Sequence, residues 1–254
     1  MTADQSLGRK IFFLHPSAII LNQIFFELAQ DEYEVYTAKD EKKLRNLLKK
    51  YPDSIVFANI NDGIKESEWE EWIRSVMGSD ETRGVDVGVL SYGGDETLRK
   101  KYAEYFKVSG GFIAIKSDTS VALRQMLTVL NNLNAKGRRK YIRALTDKET
   151  NVTVNLPING TFVNGLIKDI SVVGFSCAFA DDPALAKNTL FDDIQIRLQS
   201  QLIKAEAIVF GSRMDGDQKN YVFLFTQRVN PATRAKIRKY IQSYLQSKID
   251  EELK

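Results

Sequence analysis

The chain has 254 residues, 43% of them hydrophobic, with one cysteine, one histidine and a formal net charge of +3 at pH 7. That length suits one or two domains, each with enough apolar residues for its own core, and the composition argues against disorder. The lone Cys177 excludes an internal disulfide, and the lone His15 disfavours a His/Cys zinc site and Cys-His or Ser-His hydrolysis.

No apolar run reaches the roughly 18 residues of a bilayer span. The polar start Met1-Thr2-Ala3-Asp4-Gln5 lacks the basic and apolar regions of a signal peptide, so a cytoplasmic protein is expected. Charge is unevenly distributed. Residues 1–133 hold 17 basic and 20 acidic side chains, net −3, whereas 134–254 hold 19 and 13, net +6. Five of the eight residues from Lys136 to Arg143 are Lys or Arg and none is acidic, which suits an anionic partner or, more plainly, a solvated linker.

In chain order, short apolar runs alternate with amphipathic stretches, the pattern of a parallel sheet covered by helices. Strands are expected at Lys10–Leu14, Glu34–Thr37, Ser54–Asn59, Asp86–Ser91 and Gly111–Lys116. Helices are expected at Ser17–Gln30, Glu41–Lys50, Glu66–Met77, Glu96–Phe106 and Thr119–Leu133. The unbroken runs Ile55-Val56-Phe57-Ala58 and Val87-Gly88-Val89-Leu90 suit strands buried on both faces. The expectation is a five-stranded doubly wound α/β domain over 1–133.

That domain resembles the receiver domain of response regulators, and the resemblance implies an acidic pair after the first strand, a phosphoacceptor Asp after the third, Ser or Thr after the fourth and Lys after the fifth. Those places read His15-Pro16, Asn59, Ser91 and Lys116. Without carboxylates Mg²⁺ has no ligands, and Asn59 forms no acyl phosphate, so phosphotransfer is not expected. Asp62, three residues on, would be the acceptor only if the third strand ended later. His15, with no orienting partner evident from sequence, reads as a local hydrogen-bonding residue.

Asn134-Ala135-Lys136-Gly137 reads as a hinge, and a second domain is expected over 134–254. Strands fall at Val152–Leu156, Phe162–Ile167, Gly174–Phe179, Ile194–Leu198, Leu202–Phe210 and Tyr221–Gln227. Six closely spaced antiparallel strands make a small barrel. Asn230-Pro231 then starts a terminal helix whose Ile237, Tyr240, Ile241, Tyr244 and Leu245 share an apolar face.

Two patterns in this half carry chemistry. Arg139 and Arg143 give RxxxR, and Asp169-Ile170-Ser171-Val172-Val173-Gly174 gives DxSxxG. With 14 arginines in the chain, chance alone yields about one RxxxR; a second, Arg234 and Arg238, has no DxSxxG after it and reads as a solvated helical face. DxSxxG alone describes many tight turns. Guanidinium is planar, permanently charged and forked, which suits phosphate oxygens, the O6/N7 edge of guanine and stacking on a purine. Asp169 can accept from guanine N1 and N2, donors that adenine lacks at those places. Ser171 can supply a hydroxyl contact, and Gly174 permits a close backbone approach or an unusual torsion.

The ordered pair resembles the PilZ family, over about Lys136 to Leu245. The resemblance implies a six-stranded barrel that binds cyclic di-GMP between the RxxxR linker and its surface, without catalysis, cofactor or metal, and with a linker that changes shape around the ligand. It assigns Arg139, Arg143, Asp169, Ser171 and Gly174 to the nucleotide. Arg138, one place before the motif, would favour an intercalated pair of ligands. The first domain would then act as an adaptor for a protein partner. The same basic segment admits another reading, a nucleic-acid-binding regulator, although no helix-turn-helix or RNA-recognition signature accompanies it.

Overall fold

The computed structural model describes residues 8–93, 95–116, 118–146 and 148–254; the polar start Met1–Gln5 lies outside them. Contacts divide the chain into a first unit that runs to Lys140 and also takes in Gln246–Lys254, and a second unit, Tyr141–Leu245.

The first unit is built on five parallel strands, β1 (Ile11–Leu14), β2 (Val35–Ala38), β3 (Ile55–Asn59), β4 (Asp86–Tyr92) and β5 (Phe112–Ile115), in the order β2-β1-β3-β4-β5. This is a doubly wound order of the flavodoxin type. All four residues of β1 and all five of β3 are buried, as strands with helices on both faces must be. Helix α1 is π-helical over Ile20–Phe25 and α-helical over Phe26–Gln30; α2 spans Glu41–Leu48 and α3 Glu66–Met77. Helix α4 is α-helical over Glu96–Arg99 and π-helical over Lys100–Tyr105, and α5 spans Ser120–Asn132. Ile11, Phe13, Ile55 and Phe57 form one core with Ile20, Ile24 and Leu28 of α1 and Ala122, Met126 and Leu130 of α5.

Strand β2 lies at one edge of this sheet. Its Thr37 is paired on the open side by a side chain: Gln246 Oε1 accepts from the Thr37 amide at 2.9 Å and Gln246 Nε2 donates to the Thr37 carbonyl at 3.0 Å. Tyr51 donates to Glu252 at 2.8 Å in the same unit.

The second unit is antiparallel. Its strands are β6 (Ala144–Leu145), β7 (Val152–Ile158), β8 (Thr161–Ser171), β9 (Gly174–Phe179), β10 (Leu190–Leu198), β11 (Gln201–Asp215) and β12 (Gln218–Phe225). The ladder β8-β7-β10-β11-β12-β9 returns to β8, closing a six-stranded barrel, and the two-residue β6 adds to β8. Asn159 and Gly160, at φ 49° and 79°, make the two-residue turn between β7 and β8, the left-handed geometry that Asn-Gly favours. Helix α6 (Pro231–Glu252) starts where Asn230 Oδ1 accepts from the Thr233 amide at 2.7 Å, and Ile237, Tyr240, Ile241 and Tyr244 join the barrel core.

Two bulges decide which side chains leave that core. Along β8, Ile167 faces inward, opposite Cys177; the register then shifts at Lys168, so that Ile170 takes the next inward place opposite Phe175. Asp169 and Ser171, which strict alternation from Ile167 would send inside, emerge on the outer face. In β11 the register shifts at Phe210, after the inward Val209, and Gly211 and Arg213 emerge opposite Val222 and Asn220.

Candidate functional site

The outward residues of β8, β9, β12 and β11 line a shallow, open cleft that includes Arg143, Asp169, Ser171, Gly174, Ser176 and Arg213, with Val222 and Leu224 beneath. Two arginines face one carboxylate, so the cleft is electropositive and suited to an anion.

Arg143 is held there by its neighbours in sequence. Tyr141 and Ile142 pack, partly buried, against the barrel core, and β6 pairs Ala144 with Ile170 and Leu145 with Asp169. Thr146 donates its amide to the carbonyl of Lys168, and its hydroxyl to the carbonyl of Ile167, both at 2.8 Å, which satisfies backbone beside the bulge. So anchored, Arg143 Nη1 reaches Asp169 Oδ1 at 2.9 Å, and Ser176 Oγ donates to Asp169 Oδ2. The Asp169 side chain is 10% exposed and that of Arg143 45%, leaving the guanidinium open to solvent and to a ligand.

Ser171 serves its own turn: the hydroxyl donates to the Gly174 carbonyl at 3.1 Å and accepts from the Val173 amide at 3.4 Å. Gly174 is required by close approach, since a Cβ there would lie 2.1 Å from the Phe223 carbonyl oxygen; its φ is not positive, so the unusual torsion is not the reason. Arg138 and Arg139 are exposed and lie in the segment before Tyr141. Ser176 and Arg213 carry no motif, and only the register of the barrel reveals them.

The other RxxxR differs from a solvated face. Arg234 Nη1 donates to the Val172 carbonyl at 2.7 Å and Nη2 to the Thr226 carbonyl at 2.8 Å, so this arginine fastens α6 to the DxSxxG turn.

At the strand ends of the first unit, the buried Asn59 donates from Nδ2 to the His15 carbonyl at 2.8 Å. His15 has φ 51°, stands edge-on to Trp69 with ring centroids 5.7 Å apart, and lies over Gly63, where a Cβ would come within 2.6 Å of the ring. Its Nε2 is 3.5 Å from Glu41 Oε2, a carboxylate neighbour that sequence spacing had not revealed. Ser91 is buried, whereas Lys116 and Asp62 are exposed. Among the described residues no group of three His, Cys, Asp or Glu side chains could hold a metal ion, and no helix is long and apolar enough to cross a membrane.

The second unit is thus a closed antiparallel barrel with an arginine and carboxylate cleft on its outer face. Residues 137–243 match the family model described as PilZ domain, so the C-terminal half of the chain carries a PilZ domain. Among solved structures, the PilZ domain of Escherichia coli YcgR with c-di-GMP is similar at 16% identity and TM-score 0.38, over 45% of this chain and 96% of that one. Whole YcgR in complex with c-di-GMP matches at 16% identity and TM-score 0.39, over 46% of this chain and 50% of that one. The K. pneumonia MrkH–c-di-GMP complex matches at 16% identity and TM-score 0.40, over 46% and 57%. The chain thus spans nearly all of the isolated YcgR domain and about half of whole YcgR. No curated protein matches the chain.

Proposed function

We propose that this protein is a non-catalytic, cytoplasmic receptor for cyclic di-GMP. The observation that carries the reading is the 2.9 Å contact of Arg143 with Asp169, which joins the two halves of the motif pair across 26 residues of sequence, in an electropositive cleft. A cyclic dinucleotide offers two phosphates and two guanines. Arg143 would exchange Asp169 for phosphate or for the guanine O6/N7 edge, and Asp169, still held by Ser176, would accept from guanine N1 and N2.

The ligand's two phosphates would supply counter-charge to the basic Arg138–Arg143 segment and so draw it onto the barrel. In this reading the barrel unit Tyr141–Leu245 is the sensory half, and the first unit, receiver-like in strand order and without phosphotransfer residues, is the half that is reoriented and meets a protein partner.

Calorimetric titration of the full chain with cyclic di-GMP tests the proposal. Saturable binding that is lost in both Arg139→Ala and Arg143→Ala is expected. Binding indifferent to both substitutions would refute the site, and binding of DNA or RNA uncompeted by cyclic di-GMP would favour the nucleic-acid reading.

A further inference from the structure

Arg213 stands out among the residues of the cleft. The bulge at Phe210 turns it to the outer face of β11, in a row that runs Leu166, Ala178, Asn220, Arg213 across four strands. It is exposed and lines the cleft, and its side chain makes no hydrogen bond or ion pair among the described residues, whereas that of Arg143 is engaged by Asp169. Three interstrand steps, from β8 across β9 and β12, separate its strand from that of Asp169. At about 4.8 Å a step this is at most roughly 14 Å along the curved barrel surface, so the two side chains approach the cleft from opposite sides. Between them the floor is Gly174, Val222 and Leu224, an apolar surface on which a flat base can lie and which offers no competing charge.

We propose that Arg213 is a further ligand-binding residue, contacting the half of a cyclic dinucleotide that lies farther from Asp169, through its phosphate or its guanine O6/N7 edge. Arg213 thereby makes the cleft selective for a two-nucleotide ligand over a single guanine nucleotide. The inference rests on reading the cleft as a cyclic di-GMP site.

The test titrates the full chain and its Arg213→Ala and Arg213→Lys variants with cyclic di-GMP and, separately, with GMP. Arg213→Ala is expected to weaken cyclic di-GMP at least about tenfold, the effect of one charge-assisted contact, with part recovered in Arg213→Lys. GMP binding and the thermal midpoint should stay as in the wild type, because this side chain supports nothing else. An unchanged affinity of Arg213→Ala for cyclic di-GMP would overturn the assignment, as would an equal loss for GMP. Failure of the wild type to bind cyclic di-GMP would instead remove the underlying reading, and this one with it.

Discussion

Arg234 on α6 donates to the carbonyl of Val172, inside the turn that carries Ser171 and Gly174. The same guanidinium also holds the Thr226 carbonyl, just after β12, so one side chain ties the motif turn to the helix and to the strand behind it. This arginine belongs to the RxxxR that has no ligand motif after it, and its role is structural.

Arg234→Ala removes two charge-assisted hydrogen bonds from part-buried carbonyls and is expected to cost about 2 kcal/mol. In a chain of this size that corresponds to a thermal midpoint lower by roughly 4–8 °C. Arg234→Lys should recover only part, since one ammonium lacks the fork that reaches both acceptors. Calorimetric melting of the three proteins checks this; equal midpoints would show that water replaces the guanidinium at no cost.

Gly174→Ala places a Cβ 2.1 Å from the Phe223 carbonyl, and strand β9 must move to relieve it. A loss of about 3 kcal/mol is expected from urea unfolding. At Gly211, where no heavy atom lies within 4 Å of the added carbon, the same substitution should stay within about 0.5 kcal/mol. Similar losses at both positions would mean that strand propensity, and not the close approach, sets the cost.

Asp169→Asn tests base discrimination. A carboxylate accepts from both guanine donors, whereas a carboxamide offers only one acceptor and adds a donor of its own. Wild type should prefer cyclic di-GMP to cyclic di-AMP by about 100-fold or more, and Asp169→Asn should lose most of that preference. A preference left intact would remove Asp169 from base recognition.

Asp182 supplies a pH prediction. The Tyr221 hydroxyl, the Ala184 amide and Lys219 hold its carboxyl down to about 2. A depressed carboxylate contributes stability that is complete above its ordinary range near 3.9 and is lost as pH falls toward 2. Tyr221→Phe removes the largest of these causes, so Asp182 should titrate nearer pH 4 and the folded state should lose less on acidification. Carboxyl-carbon NMR titration reads this directly; an Asp182 value still near 2 would assign the effect to Lys219 and the amide.

Asn59 donates to the His15 carbonyl from a buried position. Asn59→Asp removes that donor and sets a carboxylate against a carbonyl, with an expected loss of about 2–3 kcal/mol. It should not create a phosphorylation site, because His15-Pro16 occupies the place of the acidic pair. Intact mass after acetyl phosphate and Mg²⁺ should be unchanged in wild type and variant alike, and an added phosphoryl group in either would contradict the inert assignment.

The parallel sheet was legible because β1, β3 and β4 are buried on both faces, and α3 was read to the residue. The lengths of β8 and β11 were underestimated: past Ile167 and Phe210 the alternation that marks a strand changes phase, and a bulge is decided by cross-strand register, which one sequence does not display. The two-residue β6 is too short for any period. Arg143, Asp169, Ser171 and Gly174 stood out through their spacing, whereas Ser176 and Arg213 are ordinary strand residues until pairing sets their direction. Arg234 looked solvated because helical spacing names a face and not the carbonyls it meets. Glu41 was missed as a neighbour of His15 because the two are brought together by separate elements, β1 and α2.

The carboxamide of Gln246 bears on how this chain can be divided. A fragment that stops at Lys140 lacks Gln246, and the Thr37 amide and carbonyl that it occupied become a vacant place for another strand. Such a fragment invites pairing between copies at β2, while the nine residues from Gln246 onward, left on the other piece, have lost the sheet they completed. The contiguous half that looks like a module in the gene is therefore the wrong piece to express; 1–140 needs 246–254 supplied, by fusion or in trans, to keep the edge of β2 covered.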